Sequence, residues 1–102
     1  MRLHEIAHSR AGDKGNRLNL SLVPYDPAHY PVLAEQVTAE RVLALFRHRG
    51  ATGCVRHDLP LLHAFNFVVE DALEGGVNGS LNLDGHGKTM SFALLALEVS
   101  LP

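Results

Sequence analysis

Residues Arg17 to Leu22 alternate without a break, with Leu18, Leu20 and Leu22 on one side and Arg17, Asn19 and Ser21 on the other. Successive side chains of an extended chain point to opposite faces, so this run reads as a half-buried strand with one apolar and one polar face. Ser80 to Asp84 repeats the pattern, Leu81 and Leu83 opposing Ser80, Asn82 and Asp84. Two strands thus carry similar polar faces. Asn is depleted in strands, and an ordinary solvated face favours Thr, Lys or Glu. Asn19 and Asn82 therefore fit either a face where amides bond something specific or plain solvated strand edges.

Upstream, Leu3 to His8 is short and alternating, which predicts another strand. Between the two lies Ser9-Arg10-Ala11-Gly12-Asp13-Lys14-Gly15-Asn16. A loop is expected here, with Gly12 and Gly15 letting backbone N–H groups converge and Arg10 and Lys14 adding cations, so it can hold a carboxylate or phosphate. A Gly-rich hairpin loop with solvated charges accounts for the same residues. Neither GxxxxGK[ST] nor GxGxxG after a strand is present, so no P-loop or Rossmann turn is supported.

Pro24-Tyr25-Asp26-Pro27 ends the second strand, with Asp26 placed to cap a short helix or turn and Pro27 at its first position. Pro31 restarts it. Thr38 can cap a stronger helix over about 39–49, with Val42, Leu45 and Phe46 on one face and Gly50 and Gly53 ending it. Cys54 to Leu59 reads as a third strand, and Pro60 opens a helix to about Leu73. Its apolar residues run most of the way round, leaving His63, Asn66 and Glu70 as a narrow polar stripe, so a second covering layer such as another subunit is expected. Residues 80–84 and 89–101 then form a closing hairpin through Asp84-Gly85-His86-Gly87-Lys88, the last strand apolar on both faces.

The chain has 102 residues, which suits a single domain over 1–102 with one core. Nine Lys and Arg against eleven Asp and Glu, with no basic run, give no electrostatic footprint for nucleic acid. The N-terminal residues lack the apolar region of a signal peptide, and the longest apolar stretch, 92–97, is too short to span a bilayer; a cytoplasmic location and no membrane partner are expected. The single cysteine, Cys54, excludes a disulfide framework and reads as a half-buried strand thiol. Seven histidines are scattered. His4 and His8, on one face of a strand, would stand roughly 13 Å apart, too far for one zinc, so neither a metal nor another cofactor is expected. Ser9 lacks a nucleophile elbow.

As a set, Ala7 to Asn19, Tyr30-Pro31-Val32-Leu33, Val55 to Pro60, Ala64-Phe65-Asn66-Phe67-Val68, Ser80 to Asp84 and Gly87-Lys88 resemble the AtuA-like domain of the acyclic terpene utilisation family. The resemblance covers nearly the whole chain, with His57 where Tyr would be familiar and Phe65 where Leu would be. It implies an α+β fold, ferredoxin-like, a two-layer sandwich with a mainly antiparallel sheet of about five strands and two to three helices, here in ββαβαββ order. It also implies an accessory subunit or module that partners a larger AtuA-type protein in acyclic terpene and acyl-CoA catabolism; the covering layer expected over the apolar segment after Pro60 adds a homo-oligomer. Combined with the polar strands, it gives as ligand-binding candidates Ser9, Gly12, Asp13, Lys14, Gly15, Asn16, Asn19, Asn66, Ser80, Asn82, Asp84 and Lys88, for an acyl-CoA or carboxylate. The alternatives are a self-contained small-ligand binder, or a small enzyme using Lys14 with Asp13 or Asp84 for proton transfer.

Overall fold

The computed structural model describes residues 1–15, 17–72 and 90–101, with Lys14 described through its backbone alone. Its centre is an antiparallel sheet of five strands: β1 (Ala7–His8), β2 (Ala11–Lys14), β3 (Arg17–Pro24), β4 (Gly53–Leu59) and β5 (Ala64–Glu70). The order is β1-β3-β5-β4, with β2 also on β3. Helices α1 (Tyr30–Gln36), α2 (Ala39–Phe46) and α3 (residues 90–95) accompany it. Since β3 and β4 each run antiparallel to the β5 between them, they are parallel to each other. The connection through α1 and α2 is thus a split β-α-β unit, the core of a ferredoxin-like α+β fold.

β3 has the predicted alternation, with Leu18, Leu20 and Leu22 fully buried and Asn19 and Ser21 half-buried. The segment before it is more regular than a loop. Ala7↔Pro24, His8↔Val23, Ala11↔Leu20 and Lys14↔Arg17 share one register, so β1 and β2 are two halves of one edge strand. At the break, the Arg10 N–H donates to Ser21 Oγ (3.0 Å) rather than to a ladder carbonyl, while the Ser21 N–H still donates to the Arg10 carbonyl (2.9 Å). Only positions 15 and 16 lie between the paired Lys14 and Arg17. Gly15, at φ 65°, supplies the left-handed backbone that a two-residue hairpin connection needs. Leu3 to Glu5, expected within a strand, instead forms a 3-10 turn, which takes His4 out of any strand face shared with His8.

The helical caps follow the sequence. Asp26 accepts from the Ala28 N–H at 3.0 Å, Thr38 accepts from the Arg41 N–H at 3.1 Å, and Gly50 closes the chain after α2 at φ 97°. Val42 and Phe46 are buried and Leu45 half-buried, as their spacing predicts.

Two expected elements exchange identity, which corrects the ββαβαββ order. Residues 64–70 are a strand, not part of a helix to Leu73. Phe65, Phe67 and Val69 turn inward while Asn66, Val68 and Glu70 turn outward, and the β-branched and aromatic residues suit a pleated surface. The supposed apolar cylinder was a period-two pattern with Val68 on the outer face, so the polar stripe of His63, Asn66 and Glu70 does not exist. Conversely, residues 90–95 are helical rather than the start of a final strand. Met90, Ser91 and Leu94 are buried while Phe92 and Ala96 are exposed, a helical spacing in a run of good helix formers. The closing hairpin through residues 80–88 lies outside the described residues.

The core sits between the sheet and the helices and includes Leu18, Leu20, Leu22, Leu33, Val37, Val42, Phe46, Phe65, Phe67, Val69, Met90 and Leu94. Arg56 enters this side from β4. Its guanidinium donates to the Ala34 and Val37 carbonyls at 2.7 and 3.0 Å, pairs with Asp58, and lies 5.1 Å over the Phe65 ring. Orphan carbonyls at the C-terminal end of α1 are thereby satisfied by a cation from the sheet.

Candidate functional site

Directly paired residues of a sheet share a face, so the register assembles the side away from the core. Gly12 pairs with Asn19, Asn19 with Val68, and Val68 with Val55. In the next row Ser21 pairs with Asn66 and Asn66 with His57. Asn19 and Asn66 are diagonal neighbours on adjacent strands, roughly 7–8 Å apart. Both are half-buried, and neither side chain bonds another described residue. Exposed Arg10 adjoins Ser21, and the Arg17–Glu70 ion pair (2.9 Å) bounds the far end.

Gly12 is informative because the fold does not require it. Its φ is not positive, and a Cβ built there meets nothing within 4 Å. Glycine inside a strand weakens it, and such a position marks a bulge, a bend or a place where a ligand or another backbone comes close. Gly15 differs, since its positive φ ties it to the turn.

The remaining candidates are dispersed. Asp13 pairs with Leu18, on the opposite face from Gly12 and Asn19, and is exposed. Ser9 alternates with Ala7 and Ala11, and its Oγ is shut from solvent without a hydrogen-bond partner. Asn16, Ser80, Asn82, Asp84 and Lys88 lie outside the described residues, and of Lys14 only the backbone pairing with Arg17 is placed. Ser21 and His57 join the Asn66 row although neither was singled out as a site residue. The signal was present in Ser21, on the polar side of β3; for His57 it required knowing that β5 is a strand.

Among the described residues no three His, Cys, Asp or Glu side chains come together as a metal site, and no helix is long and apolar enough to cross a membrane. Burial pushes the Cys54 thiol up from 9.0 to about 11, so it is protonated at neutral pH. Among the described residues this face offers two unengaged amides and the Ser21 hydroxyl as hydrogen-bonding groups.

The sequence model of the AtuA ferredoxin-like domain matches residues 1–100. The chain belongs to that family. The split β-α-β unit and five-stranded antiparallel sheet of this AtuA ferredoxin-like domain agree with the fold the family's description names. No curated protein and no solved structure matches the chain.

Proposed function

We propose that this AtuA ferredoxin-like domain is a binding module whose open sheet face takes a carboxylate-bearing ligand such as an acyl-CoA, and that it works as an accessory subunit of a larger AtuA-type protein in acyclic terpene catabolism. The observation that carries the ligand reading is Gly12 beside Asn19, a strand glycine with no structural need next to a half-buried amide without a described partner. Asn66 supplies a second amide on the same face, and exposed Arg10 supplies a cation for the carboxylate. Family membership is what favours the larger partner.

Affinity purification of the tagged chain from its host, with mass spectrometry of what comes with it, tests the partner: a large AtuA-type protein in fixed ratio is expected. Thermal shift of the pure chain against acyl-CoA tests the ligand. A saturable stabilisation that Asn19→Ala and Asn66→Ala each diminish is expected. No shift with the pure chain or with its co-purified complex would remove the ligand reading.

A further inference from the structure

Beyond what it gives to the core side and the open face, strand β4 has an outer edge that neither uses. It is a seven-residue strand at the end of the sheet order, bonded to β5 on one side, with no ladder partner on its outer edge among the described residues. Natural edge strands are blunted by lysines, proline, extreme shortness or inward-pointing charges; between Gly53 and Leu59 β4 has no lysine or proline, and its inward-pointing charges, Arg56 and Asp58, are paired with each other. It also carries exposed apolar side chains. Val55 is 54% exposed and Leu59 39%, and the turn that follows adds Leu61 at 95% and Leu62 at 69%. Of the large hydrophobic residues exposed among those described, the other three, Met1, Tyr25 and Phe92, lie elsewhere in the chain.

The geometry points to β4 as the interface with a second copy of this chain, the two β4 strands pairing antiparallel about a twofold axis at His57. An isologous interface needs a surface complementary to itself. With His57 opposite His57 of the other copy, Val55 falls opposite Leu59 and Arg56 opposite Asp58, in both directions. The exposed apolar residues meet on the open face, and opposite charges meet on the helical face. In the free chain Arg56 and Asp58 are already joined at 2.7 Å, so the pairing closes two ion pairs into one four-charge network. The same register brings the Pro60–Leu62 turn toward Gly53 of the other copy, where a Cβ position meets nothing within 4 Å. A shift of one residue, to Arg56 opposite Arg56, would set like charges against each other and pair Val55 with His57, so the charges select the register. The twofold axis stands perpendicular to the sheet, so both open faces lie on one side of a continuous sheet. This pairing gives the expected homo-oligomer a specific interface and stands independently of the ligand reading.

Light scattering on the full chain over a concentration series is expected to give twice the chain mass, and Val55→Lys to return it to the monomer with unchanged circular dichroism. A second variant fixes the register. His57→Cys in a Cys54→Ala background places two thiols at a directly opposed pair, where Cα atoms are about 4.5–5.5 Å apart, within disulfide reach. Mild oxidation is expected to give covalent dimers from it, and none from Ser21→Cys in the same background. A chain that stays monomeric up to its solubility limit overturns the pairing. A dimer that survives Val55→Lys and is not cross-linked through position 57 overturns it too. If Val55→Lys fails to fold, cross-linking alone decides. The ligand thermal shift on the unaltered chain reads the other proposal separately, since it does not depend on the mass observed.

Discussion

The two faces of the sheet are made from the same three long strands yet do opposite work. On the covered face every inward residue of β3 and β5 is apolar, and the Arg56 guanidinium of β4 is engaged by two carbonyls, the neighbouring Asp58 carboxylate and a ring. On the open face the rows mix Asn, Ser, Gly, Val and His, and the two amides are unengaged among the described residues. Substitutions on the first face should therefore change stability, whereas substitutions on the second should change what the domain binds.

The strongest way to break this contrast is Phe67→Ala. Phe67 is fully buried, and its truncation should cost about 3–5 kcal/mol, measured by denaturant unfolding. A loss below 1 kcal/mol would mean that the covered face is not the core. Arg56→Ala comes next, since it frees the α1 carbonyls and uncovers Phe65; about 2 kcal/mol is expected, in line with hydrogen bonds to a charged group. Gly12→Ala should move stability by no more than about 0.4–1 kcal/mol, and in the favourable direction, because the space is open and the φ ordinary. On the ligand reading the same change weakens the acyl-CoA thermal shift, so a stable variant with reduced binding would sharpen the comparison. Asn19→Ala and Asn66→Ala should each leave unfolding within about 0.5 kcal/mol of the parent chain.

Cys54 gives a pH test of the covered side. Its folded pKa, about 11, is raised above the ordinary 9.0 by burial, so its contribution is fully present below pH 9 and is lost as pH rises through 11. Alkylation of the native chain should stay slow at pH 8 and accelerate toward pH 11; rapid labelling at pH 8 would show that the thiol is not held in the half-buried position on β4.

Local chemistry made some elements legible in the sequence. Asp26, Thr38 and Gly50 act through bonds or dihedrals within a few residues, so their roles survived folding unchanged. The alternation of β3 was equally plain because its polar residues are Arg, Asn and Ser. Asn19 and Asn66 were recognisable as candidates one at a time, from residue type and family resemblance. Their shared face was not, since the apolar run around residue 66 fits a helix as well as a strand.

What the sequence determined by itself is the half-covered sheet, the capped helices and the family to which the chain belongs, because period, caps and motif order are properties of neighbouring residues. The tertiary structure alone decided that 64–70 is a strand, that 90–95 is a helix, and which polar residues share a surface. Short apolar runs fit either secondary structure, and only the partner they pack against breaks the tie: Phe65, Phe67 and Val69 align against β3 in a ladder, while Met90 and Leu94 fill a helical seam in the core. Asp13 and Asn19 show the same limit, since strand register, set by pairing across the sheet, put them on opposite faces.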